Sequence, residues 1–178
     1  MKRVAYIVNG DFESAMGYRA RALAARLRTR YDIRVVYREG NKLVSLLRFL
    51  RFLIGVRPTL SYVFDMSYSG VLGAWLYKRL FGGRLIIDTG DAIYELARSV
   101  GNRGKVGLLL TRWLERFSLK VADGIVVRGT FHQKFLIERG YNAEVIQDGV
   151  DVQSFAPTNV SDLRKEHGLE GFLTIGLI

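Results

Sequence analysis

Apolar and polar positions along this chain fall into blocks of two kinds. Short apolar runs of strand length recur at residues 3–9, 33–37, 60–64, 85–88, 124–127 and 143–146. Between them lie longer stretches with helical spacing, at about 18–30, 43–54, 71–80, 106–122 and 130–139. In the first of these helices Ala22, Leu23, Ala25 and Leu27 are expected to face inward. Gly55 and Pro58, Gly82-Gly83 and Gly140 punctuate the blocks where helices must stop. Strands that are nearly continuously apolar are buried on both faces, and a helix between successive strands implies right-handed crossovers. The prediction is an α/β domain with a Rossmann-like, doubly wound, mostly parallel sheet whose ligand sits at the carboxyl ends of the strands. Residues 9–17, 88–91, 128–130 and 147–151 should form that edge.

After the sixth run the pattern changes. Residues 147–157 read as a turn and linker, 160–167 as a short helix and 172–178 as an apolar strand-like tail. The expected organisation is therefore a domain over 1–157, followed at 158–178 by a linker helix and the first strand of a second domain. The alternative is an edge strand that completes the first domain.

Composition narrows the class. With 178 residues, 49% hydrophobic and 25% charged, the chain can bury one full core. It has no cysteine and 2 histidines, so neither a thiolate zinc site nor a histidine-rich metal centre is expected. The apolar run at 4–8 is too short for a signal peptide, and no stretch approaches the roughly 20 residues that cross a bilayer. A cytoplasmic protein is expected. The formal charge of +10 points to anionic partners without choosing among nucleic acid, acidic lipid and phosphorylated small molecules.

Phosphate-binding signatures inform mainly by absence. There is no GxxxxGK[ST], and no GxGxxG follows the first strand. Gly101, Gly104 and Gly107 have a GxxGxxG spacing but lie in a polar loop. Asp88 and Asp91 stand three apart, whereas a metal-nucleotide pair needs its acids two apart, so no metal is expected.

Several segments, in order, resemble the N-terminal domain of glycosyltransferase family 4, one half of a GT-B fold. Val145-Ile146-Gln147-Asp148-Gly149-Val150-Asp151 with Phe155 and Pro157 is similar to the signature VIPNGVDxxxFxP. Leu114-Glu115-Arg116 through Ala122-Asp123-Gly124-Ile125-Val126-Val127 resembles LERxxxxxADxVIxVS, and Phe135-Leu136 to Gly140-Tyr141 resembles LxxxGY. Leu163-Arg164 to Gly168-Leu169 is similar to LRxxxGL, and Gly17-Tyr18-Arg19-Ala20-Arg21 to a variant with arginines after the loop glycine. The chain departs at Gln147 and Asp148, where the family has proline and asparagine, and at Gly90-Asp91, where many relatives have His-Asp.

The resemblance implies the acceptor-binding half of a retaining enzyme that moves a sugar from a nucleotide-diphosphate sugar to a glycan or lipid-linked acceptor, without a metal or other cofactor. Its partner would be a missing C-terminal donor domain, without which the chain is expected to be inactive. Stabilising the departing diphosphate falls to cations and helix N-termini. Gly17, Arg19, Arg128, Asp148, Gly149 and Val150 are the candidate substrate and phosphate contacts. Gly17 either admits the diphosphate or simply starts a helix, and Arg19 either binds phosphate or lies on a solvated face. Asp91 either orients or deprotonates the acceptor hydroxyl or caps the helix that follows. His132 reads as a cap or surface residue, His167 as surface. Two alternatives remain: a basic nucleic-acid-binding module, for which no RNP-like, KH-like or helix-turn-helix pattern is found, and a split-enzyme subunit that needs a separate donor-domain chain.

A membrane-facing surface is also expected. Leu43, Leu46, Leu47, Leu50, Leu53 and Ile54 share one helical face, as a buried helix requires. Phe49 and Phe52 fall outside that stripe beside Arg48 and Arg51, a mixture suited to an anionic headgroup layer. Arg112, Arg116 and Lys120 form a second basic row. The alternative is a solvated basic face with two exposed phenylalanines.

Overall fold

The computed structural model describes residues 1–66, 68–101, 103–149 and 161–173. The chain divides into two compact units, Met1–Asp148 and Gly149–Ile178. In the second, the described part is one short helix, Ser161–Glu166, closed by Leu169 N donating to Arg164 O at 2.7 Å. Of the expected strand at 172–178, residues 172 and 173 are described and are not in a strand; 174–178 and the site residue Val150 lie outside the described residues.

The first unit alternates β1 (Lys2–Val8), α1 (Ala15–Leu27), β2 (Tyr31–Tyr37), α2 (Lys42–Val56), β3 (Leu60–Phe64), α3 (Tyr68–Phe81), β4 (Arg84–Thr89), α4 (Ile93–Val100), α5 (Lys105–Val121), β5 (Gly124–Val127), α6 (Thr130–Ile137) and β6 (Ala143–Val145). All pairings are parallel, in the order β2-β1-β3-β4-β5-β6. The α/β doubly wound fold is thus as expected. The loop anticipated before residue 106 contains a further helix, α4.

Side chains alternate between two cores, as the pleat requires. Ala5, Ile7, Val63, Leu85, Ile87, Ile125 and Val127 face α2, α3, α5 and α6. Val4, Tyr6, Val8, Tyr62, Phe64 and Val126 face α1. The helices are therefore shared unequally, and a single described helix covers the second face. On it Tyr6, Tyr62 and Phe64 pack ring against ring at 4.7–5.5 Å.

Two helices are rotated from their expected settings. The buried stripe of α1 is Met16, Ala20 and Ala24 with Leu23 and Leu27 partly buried, while Ala22 and Ala25 are exposed. In α2, Phe49 and Leu53 are fully buried and Phe52 is partly buried against the core. The membrane-facing assignment of Phe49 and Phe52 is corrected accordingly. The neighbouring element is α3: Phe49 and Leu46 lie against it at Gly73, 3.5–3.6 Å from where a Cβ there would stand. Because α2 must cover both the sheet and α3, its inward face turns, leaving Leu43, Val44, Leu47 and Ile54 outside. Arg51 is exposed and Arg48 pairs with Glu39.

Candidate functional site

In this strand order the connections leave β1 in one direction and β3 in the other, which opens a crevice at their carboxyl ends. Polar residues collect there. Asn9 follows β1, Asp65 follows β3, Asp88 is the penultimate residue of β4, Arg128 follows β5 and Asp148 comes shortly after β6. Asp65 and Met66 hold left-handed backbone (φ 61° and 36°), and Met66 N donates to Asp88 O at 3.2 Å. Asn9 Nδ2 donates to Asp65 Oδ2 at 3.4 Å and accepts at Oδ1 from Arg38 at 3.2 Å. Burial pushes the Asp65 carboxyl up, against that hydrogen bond and the charge of Arg128.

Arg19 is the keystone of the α1 side. Its side chain is 5% exposed and that of Asp88 is 0% exposed. Nε donates to Asp88 Oδ2 at 2.9 Å, Nη1 to Asp148 Oδ1 at 2.5 Å and Nη2 to the carbonyl of Ile146 at 2.9 Å. Tyr62 Oη donates to the same Asp88 oxygen at 2.8 Å, while Asp88 Oδ1 is buried without a hydrogen-bond partner. The guanidinium is thus committed to internal acceptors, and it ties α1 to β4 and to the segment after β6.

Arg128 is held more loosely. Nη2 lies 3.9 Å from Asp65 Oδ1 and 3.0 Å from Met16 Sδ, and Nε lies 4.0 Å from Asp148 Oδ2 with no hydrogen-bond acceptor. The guanidinium rests on Gly90, where an added Cβ would stand 2.4 Å from Cζ. His132 bonds to the Gly90 backbone, and its Nδ1 is buried without a partner. Burial lowers the imidazole pKa, against Asp91 and that bond, so it is uncharged at neutral pH. Asp91 is exposed and does not cap α4, whose N-cap is Ala92 with no side-chain hydrogen bond. The arrangement offers an uncommitted guanidinium N–H, a neutral imidazole and an exposed carboxylate, groups able to take an anion and a hydroxyl.

The structure thus brings together Arg19, Asp91, Arg128 and Asp148 at the expected edge, and adds Asp65 and His132. Asp65 could have been found by its place directly after a strand; its left-handed turn leaves no sequence signal. Gly149 is exposed, with open space around it. Gly17 has a clear internal reason: an added Cβ would stand 2.5 Å from the carbonyl oxygens of Asp11 and Phe12. The loop folds over the start of α1, where Ser14 Oγ accepts from Gly17 N at 3.1 Å. Gly17→Ala should therefore displace the loop and cost about 1–3 kcal/mol. Urea unfolding checks this, and an unchanged midpoint would show that the loop yields freely.

Fold and edge together define a Rossmann-like domain with its ligand crevice at the β1/β3 switch point. The chain is similar to a solved sucrose-phosphate synthase of Thermosynechococcus elongatus, with a TM-score of 0.72 and 13% identity over 95% of this chain and 53% of that one. It is also similar to Anabaena HepE in complex with UDP-glucose, with a TM-score of 0.56 and 14% identity over 94% of this chain and 50% of that one. The chain spans about half the length of each. These likenesses establish the fold, a Rossmann-like α/β domain matching those of GT-B structures. No protein-family model matches the sequence, and no curated protein sequence does.

Proposed function

We propose that this chain is the acceptor-side half of a retaining glycosyltransferase that uses a nucleotide-diphosphate sugar. The observation that carries the reading is the pair of uncommitted polar atoms, Arg128 Nε and His132 Nδ1, beside Gly90 at the carboxyl edge. The UDP-glucose held by HepE supports the donor class. In this reading Arg128 faces the diphosphate, and Asp91 and His132 orient the acceptor hydroxyl. Arg19 acts as a positioning residue that fixes Asp148 and the start of the segment toward the donor domain. The sequence-based phosphate contacts at Gly149 and Val150 would be made by backbone amides in this reading. Transfer itself requires the donor domain, so the chain alone binds without turning over.

The test is a titration of the isotope-labelled chain with UDP- and GDP-sugars, read by NMR. Shifts should cluster at residues 9–17, 88–91, 128–132 and 146–149. Arg128→Met should abolish them, and so should Gly90→Ser, whose side chain would displace the guanidinium; both variants should keep the fold. Shifts elsewhere, or none with any nucleotide sugar, would overturn the proposal.

A further inference from the structure

The first half of helix α5 turns an apolar stripe outward. Toward the core its last turns supply Leu119 and Val121, but its other inward positions are polar: Thr111 and Ser118 are buried, and half-buried Glu115 accepts from Tyr94 N at the start of α4 at 3.2 Å. Its outward positions include four large apolar residues, Val106 82%, Leu109 68%, Leu110 55% and Trp113 58% exposed. These four stand at i, i+3, i+4 and i+7, one continuous stripe. The adjoining α4 leaves Leu96 and Val100 exposed in the same way. An apolar face of this extent is more than the scattered exposure of a soluble surface.

Cations flank the stripe. Arg112, Arg116 and Lys120 are exposed at four-residue steps along α5. With Arg139 they line a recess of about 630 Å³ between α4, α5 and α6. The carboxylates in that recess are Glu95, 3.8 Å from Arg98, and Glu115, turned toward α4. A second copy of the chain would set cation row against cation row. A surface with an apolar interior and anionic headgroups complements both features. Trp113, broad and with an N–H donor, suits the boundary layer between them.

We propose that this α4–α5 face docks on an anionic lipid bilayer. α5 leads into the start of β5, so its first turns stand at the sheet's carboxyl edge, on the same side as the crevice. Docking brings the crevice near the bilayer surface, where a lipid-linked hydroxyl is within reach. The inference stands independently of the sugar-transfer reading, because vesicle binding needs no donor or acceptor.

Co-sedimentation with phosphatidylglycerol and with phosphatidylcholine vesicles tests it. Binding is expected with the anionic vesicles alone and should fade at high salt. Arg112→Glu/Arg116→Glu should weaken it more than about a hundredfold, and Leu109→Ser/Trp113→Ser roughly tenfold. The exposed α2 pair Leu43→Ser/Leu47→Ser should leave it unchanged. Brominated anionic lipid should quench tryptophan emission in the parent chain but not in Trp113→Phe, a readout that does not depend on the charge variants folding. Equal binding to neutral vesicles, no binding, retention in the α5 variants, loss in the α2 variant alone, or self-association through the stripe without vesicle binding would each overturn the proposal.

Discussion

Arg19→Met should destabilise the first unit by about 3–5 kcal/mol, the usual cost of removing one partner of a buried ion pair. The reason lies in what is left behind. Asp88 is fully buried, and without the guanidinium its charge retains Tyr62 Oη as its one described side-chain donor. The carbonyl of Ile146 also loses its donor from Arg19. Asp148 is 57% exposed and can return to water, so its bond to Arg19 adds little to the loss. The double variant Arg19→Met/Asp88→Leu should recover part of the stability, because the uncompensated charge is gone while the Tyr62 hydroxyl still needs a partner. The measurement is the urea midpoint at unchanged m-value. A loss below about 1 kcal/mol would mean that water reaches Asp88 and that the clasp is not a structural element.

That result would also decide how Arg19 is understood. An arginine two residues after a loop glycine at the start of a helix looks, in sequence, like a phosphate contact or a solvated cation. In the structure it is buried rather than solvated, and the partners that claim it come from β4 and from beyond β6, 69 and 129 residues away. The strands and their crossovers were legible, since each strand is a local apolar run and parallel pairing follows from the helices between. The edge was legible for the same reason, because topology places every strand's last residue on one side. Helix rotation was not. The periodicity of α1 and α2 is real, but which of two nearly equivalent apolar faces turns inward is set by the neighbouring element. For α2 that element is α3, against which Phe49 packs at Gly73. His132 was hidden for a related reason: its contact is with the backbone of Gly90, and a backbone contact leaves no residue-type signature.

The same rotation yields the last expectation. Phe49→Ala should cost about 3–5 kcal/mol, whereas Leu47→Ala, two residues earlier on the same helix, should change stability by less than about 0.5 kcal/mol. Phe49 is 0% exposed and Leu47 is 62% exposed. Phe49 fills the angle between the sheet and α3, lying against Gly73 with Leu53 one turn on in the same core. Truncation leaves a cavity that α2 cannot close, since Leu53 pins it below and Asn41 caps it above, accepting from Leu43 N at 3.1 Å and Val44 N at 2.9 Å. Removing the outer side-chain carbons of Leu47 takes away little that is shielded from water. Were α2 set with Phe49 outward, as an amphipathic membrane helix requires, the two costs would exchange. Thermal or urea unfolding of the pair therefore reads the orientation of α2 directly, and a larger loss for Leu47→Ala would return Phe49 and Phe52 to the surface.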